Sequence, residues 1–173
     1  FGDGRRARTS FEHALAGVDT VRETSRVPRK QVLLPFSKSR SGVEVTRDIP
    51  FRRVAGQVLK LDVVAPAESG EKRPAILQIH GGSWVMGDKR EQGWPLLSHL
   101  AANGWVCFNA NYRLSPGATF PDHLVDLKAA LAWVRAHAED WGIDPGFIAV
   151  TSGSAGGHLA ALMALTANDP EYQ

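Results

Sequence analysis

Phe147-Ile148-Ala149-Val150-Thr151-Ser152-Gly153-Ser154-Ala155-Gly156-Gly157-His158-Leu159-Ala160 is the most informative segment of this 173-residue chain. Its first five residues form an apolar run of the kind that builds a strand buried on both faces. From Ala155 to Leu165 small residues and leucines read as a helix. Between the two, Gly153, Ala155, Gly156 and Gly157 surround Ser154 with almost no side chain. A sharp strand-to-helix turn is crowded and accepts only small neighbours around the residue at its apex. Such a turn pushes the Ser154 hydroxyl out at the carboxyl end of a sheet, where a base and a substrate can reach it. The helix behind it aims its first N–H groups at the same place, which favours negative charge there. Ser152 stands where the common G-x-S-x-G pattern has its first glycine. Taken alone, the segment also fits a phosphate-binding turn without catalysis.

A second loop supplies the complement. Ala75-Ile76-Leu77-Gln78-Ile79 reads as another buried strand, and His80-Gly81-Gly82-Ser83-Trp84 follows it directly. Successive glycines let the backbone come close and turn its N–H groups inward. Such donors stabilise a tetrahedral oxyanion, and losing one typically costs about 10²–10³ in rate. The expected donors are Gly81, Gly82 and Ala155. A plain glycine turn beside a buried histidine is the alternative. Two loops at strand carboxyl ends matching two halves of one site argue against it.

Working outward, Leu59 to Val64 alternates as a half-exposed strand, and residues 105–108 form a further apolar one. Residues 94–102 and 122–138 read as helices, the second through a stripe of Leu124, Leu127, Leu131, Val134 and Ala138. Strands alternating with helices imply an α/β fold, with a mostly parallel sheet and helices on both faces. Residues 9–22 open with a capping-box pattern and predict a short amphipathic helix. Residues 23–50 are polar and proline-bearing and read as irregular. The expected organisation is an N-terminal covering segment over 1–50 and the regular domain over 51–173.

As a set, His80-Gly81-Gly82-Ser83-Trp84, Asn111-Tyr112-Arg113-Leu114-Ser115-Pro116, Phe120-Pro121 and Ser154-Ala155-Gly156-Gly157-His158-Leu159-Ala160 resemble the hormone-sensitive-lipase and carboxylesterase branch of the α/β-hydrolases. The resemblance covers roughly residues 55–166. It implies the α/β-hydrolase fold and a serine carboxylic ester hydrolase that works through an acyl-enzyme, with no cofactor or metal. Small or medium acyl esters are the implied substrates. Ser154 would be the nucleophile. His80, Ser83, Trp84 and Gly156 would support the site, with His80 orienting the loop rather than acting as base. Tyr112, Arg113 and Asp126 would brace the loops. Ser83 stands where many relatives have glycine.

In this fold the triad runs serine, acid, histidine along the chain. Only 19 residues follow Ser154; Asp169 lies at the end of the nucleophile helix, and nothing resembling the catalytic histidine comes after it. The acid and base are therefore expected beyond Gln173, with the fold cut after the nucleophile helix and the chain alone inactive or nearly so. An inactive hydrolase-derived binding module, or an amidase or peptidase on the same fold, are the rival readings.

Charge separates along the chain. Residues 1–53 carry 12 Lys/Arg against 6 Asp/Glu, and residues 54–173 carry 8 against 12. The basic residues are scattered and accompany no nucleic-acid motif, so a solvated segment is expected rather than a nucleic-acid partner. One cysteine, Cys107, excludes an intrachain disulfide, and its place in a buried strand predicts an inert thiol. No run of eighteen apolar residues and no secretory signal are visible, which favours a cytoplasmic setting. His13, His99, His123 and His137 lack triad or metal spacing, and His158 is expected to be packed rather than catalytic. Asp88 is expected to hold a turn.

Overall fold

A computed structural model describes residues 42–172. The helix expected over residues 9–22 lies outside the described residues. Among the described residues, five strands form one sheet: β1 (Val43–Val54), β2 (Gln57–Pro66), β3 (Arg73–Ile79), β4 (Val106–Ala110) and β5 (Ile143–Ser152). The described helices are α1 (Trp94–Ala101), α2 (Asp122–Ala136) and α3 (Ser154–Leu165). The spatial order is β1-β2-β4-β3-β5. β1 pairs antiparallel with β2, and β2 antiparallel with β4. β3 pairs parallel with both β4 and β5. The sheet is therefore mixed, where the alternation of elements implied a mostly parallel one. The two antiparallel pairings come from the strands that precede the first helix crossover.

β1 corrects the irregular reading of residues 43–50. Val43 and Val45 alternate with Glu44 and Thr46, but the register with β2 shifts between Thr46 and Ile49 and again between Pro50 and Arg52. Those irregularities break the alternation that sequence inspection relies on. Pro50 is tolerated because β1 is an outer strand. The β1–β2 turn is Ala55-Gly56, both in the left-handed region (φ 49° and 75°), which matches the right-handed twist of a hairpin.

Helices cover both faces, as expected. On one face α1 sets Leu97 and Ala101 against Val64, Ile76 and Cys107. On the other, α2 and α3 set Leu124, Leu127, Val134, Leu159 and Met163 against Leu61, Val63, Leu77, Ile79 and Phe108. β5 differs from the fully buried strand its composition predicts. It forms one edge of the described sheet, so Ile148, Ala149 and Val150 are only half-buried and Phe147 is exposed.

Cys107 is buried in β4, and burial pushes its thiol up to about 12. The folded state thus favours the neutral thiol. Its contribution to stability is fully present below the thiol's ordinary value of 9.0 and is lost as pH rises towards 12. Iodoacetamide at pH 8 is expected to leave Cys107 unmodified in the folded protein and to alkylate it fully in strong denaturant. Rapid alkylation under native conditions contradicts its burial.

Candidate active site

Ser154 sits where β5 hands over to α3. Gly153 is extended (φ −123°, ψ 161°), and Ser154 then turns to φ 53°. Left-handed backbone is strained for any residue with a Cβ, and such strain concentrates at functional sites. The Ser154 side chain is exposed at the end of the sheet. Ala155 and Gly156 are buried behind it. A Cβ on Gly156 would lie 2.6 Å from the His80 carbonyl and 2.9 Å from that of Ile79. The first turn of α3 thus presses on the end of β3, and only glycine allows it. The Ser152 hydroxyl fills part of this gap and donates to the Ile79 carbonyl. Serine at this position joins the bases of the two loops where glycine would leave space.

The His80–Trp84 loop lies directly against Ser154. A Cβ on Gly81 would stand 3.0 Å from the Gly153 carbonyl and 3.3 Å from Ser154 Cβ. Gly82 (φ 119°), Ser83 (φ 52°) and Trp84 (φ 62°) follow in left-handed backbone, and the Gly82 carbonyl accepts from Val85 and Met86 N–H, each at 3.1 Å. Gly81 N–H, expected among the oxyanion donors, donates to Gln92 Oε1 at 2.9 Å. The N–H groups of Gly82 and Ser83 donate to nothing among the described residues.

His80 is buried and braces this loop. Its Nδ1 lies 2.8 Å from the Gly81 carbonyl, so that nitrogen carries the proton. Its ring stacks on Tyr112 at 4.5 Å, and the Tyr112 hydroxyl donates to the His80 carbonyl at 3.1 Å. Burial raises the Tyr112 phenol above its ordinary range, keeping it a donor. Fully buried Asp126 takes both Arg113 Nε (2.7 Å) and Arg52 Nη1 (2.9 Å), tying the segment after β4 and strand β1 to α2. Ser115 N–H donates to the Trp84 carbonyl at 2.8 Å, so the Tyr112–Pro116 segment shores up the loop. Trp84 meets His158 edge-on at 5.5 Å.

No base reaches Ser154, the expected nucleophile, among the described residues: its Oγ has no hydrogen-bond partner there. His158 is exposed and touches Trp84 instead. His123 is buried beneath Tyr112, 3.4 Å from Ser115 Oγ; burial, ahead of the neighbouring charges, lowers its pKa. His137 stacks on Trp133. Asp88 holds its turn through Arg90 N–H, as expected. Sequence reasoning missed Gln92, Lys89 and Asp62, whose roles depend on contacts across the fold. The described residues contain no cluster of His, Cys, Asp and Glu suited to a metal, and no helix long and apolar enough to cross a membrane.

The sequence profile of the BD-FAE family matches residues 61–173, which include both loops and the helix behind Ser154. The chain belongs to the BD-FAE family. Three proteins similar to this BD-FAE chain are informative. The probable carboxylic ester hydrolase LipM of Mycobacterium tuberculosis is 59% identical over 100 residues, 58% of this chain and 23% of LipM. Esterase LipQ of the same organism is 47% identical over 133 residues, 74% of this chain and 31% of LipQ. The thermophilic esterase Est2 of Thermogutta terrifontis superposes with a TM-score of 0.64 at 36% identity, over 71% of this chain and 45% of Est2. The BD-FAE chain thus has the α/β-hydrolase fold and spans less than half the length of each of these relatives.

Proposed function

We propose that this chain carries the nucleophile and oxyanion half of a carboxylic ester hydrolase. One observation carries the reading: strained, exposed Ser154 stands against a glycine loop whose Gly82 and Ser83 N–H groups are unengaged among the described residues. Ser154 Oγ attacks the ester carbonyl, the alcohol leaves, and water releases the acid from the acyl-serine. Gly82, Ser83 and Ala155 N–H groups hold the oxyanion; Gly81 joins them only if Gln92 swings away. The base and its orienting acid come from polypeptide following α3, in the order serine, acid, histidine. Short acyl groups fit best, since Est2, a relative in fold and sequence, has been characterised with propionate and butyrate bound.

The test is a substrate panel on the protein as encoded, from its native start to its native stop codon. Turnover of p-nitrophenyl acetate and butyrate is expected to exceed that of the matching anilides by orders of magnitude. Preference for the anilides would replace the esterase reading with an amidase. The Ser154 hydroxyl, unpartnered among the described residues, favours one second reading, a hydrolase-derived module without turnover, and inactivity on every substrate would select it.

A further inference from the structure

Lys89 is the largest fully buried side chain among the described residues, with 2% of it exposed. Lysine is almost never buried to this degree unless paired. Its Nζ donates to Asp62 Oδ1 on β2 at 2.7 Å and to Asp48 Oδ1 on β1 at 3.0 Å. Asp62 is buried too. The Lys89 bond, acting against burial, holds the Asp48 carboxyl below its usual range. The backbone beside it is gripped as firmly. Lys89 N–H donates to Asn111 Oδ1 at 2.7 Å, and its carbonyl accepts from Asn109 Nδ2. Asn111 Nδ2 donates to Asp88 Oδ2 at 2.9 Å.

These contacts fasten the far end of the loop that begins at His80. Its near end is fastened by Tyr112 on the His80 carbonyl and by Gln92 on Gly81 N–H. Between the two anchors lie Gly82 and Ser83, whose N–H groups have no partner among the described residues. A buried ion pair is seldom more stabilising than the apolar pair that could replace it, so stability alone does not account for this one. Charge-assisted bonds supply direction and a single geometry instead. An oxyanion hole needs that geometry, because its donors must be held to within about 0.5 Å.

We propose that Lys89, through its buried pair with Asp62, is a positioning residue that fixes the aim of the Gly82 and Ser83 N–H donors. The proposal rests on the ester-hydrolase reading only for its kinetic consequence; the tether itself can be measured without turnover.

The experiment uses the protein as encoded, with Lys89→Met and Asp62→Leu combined so that no charge is left buried alone. Hydrogen exchange is followed by mass spectrometry on peptides covering residues 80–92 and on peptides from β3 and β4. Ester kinetics are measured alongside. The expected result is an unchanged thermal midpoint and exchange confined to 80–92 that rises about tenfold or more. In the kinetics kcat falls roughly 10–100-fold with KM nearly unchanged, as a displaced hole requires. A folded double variant with parental loop exchange and parental kcat overturns the proposal. If the unaltered protein turns over no ester, the esterase reading fails while loop exchange still decides the tether. If the double variant does not fold, Asp62→Asn weakens the same pair at constant volume while Asp48 Oδ1, 3.0 Å away, still accompanies the Lys89 charge. Loop-confined exchange is expected there too, and its absence overturns the proposal.

Discussion

Replacing Ser154 with alanine in the encoded protein is expected to lower kcat for esters by about 10⁵–10⁶-fold, the loss typical of removing a serine nucleophile. Glycine at the same position is expected to be equally inactive. The two variants separate in stability. Ser154 holds φ 53°, a conformation that costs about 1–2 kcal/mol for a residue with a Cβ and almost nothing for glycine. Alanine keeps that strain and glycine releases it. Thermal denaturation should therefore find Ser154→Gly more stable than Ser154→Ala by about 1 kcal/mol, although glycine is the poorer helix former. Equal stabilities would mean that the turn is not strained. Retained turnover in either variant would remove Ser154 from the chemistry.

Gly156→Ala is expected to destabilise the protein by about 3 kcal/mol, at the upper end of overpacking effects. The added methyl would meet the carbonyls of His80 at 2.6 Å and Ile79 at 2.9 Å. Both are backbone atoms at the root of the His80–Trp84 loop, and no rotamer change moves them aside. Relief requires α3 to back away from β3, which shifts Ser154 relative to Gly82, so turnover should fall as well. Gly157→Ala is the control. Its Cβ would stand 3.6 Å from the Ser152 carbonyl, an ordinary contact, and alanine improves helix propensity by up to about 1 kcal/mol. Chemical denaturation of both variants decides the matter. If Gly156→Ala proves as stable as Gly157→Ala, the close approach of α3 to β3 is wrong.

The parts of this molecule that could be read in advance are those specified by neighbours in sequence. The turn at Ser154 announces itself because Gly153, Ala155, Gly156 and Gly157 are all small within five residues. The Leu124–Val134 stripe of α2 and the apolar run of β4 are likewise local patterns, and each became the element expected. What escaped depends on the fold. β1 hides because bulges at Thr46 and Pro50 break its alternation. β5 has the composition of an interior strand, yet among the described residues it has a neighbour on one side only. Lys89, in Gly87-Asp88-Lys89-Arg90, has the sequence context of an exposed turn, and only the placement of Asp62 and Asn109 draws it inward. Gln92 is eleven residues from the N–H it engages, and no spacing rule connects them.

Acylation of Ser154 is the step on which the proposed ester hydrolysis depends. It is tested most directly by treating the encoded protein with a fluorophosphonate, digesting it, and locating the adduct by mass spectrometry. One adduct per chain is expected, on Ser154, abolished by Ser154→Ala together with ester turnover. An adduct on a different residue, or ester turnover that persists with Ser154 unmodified, would contradict it.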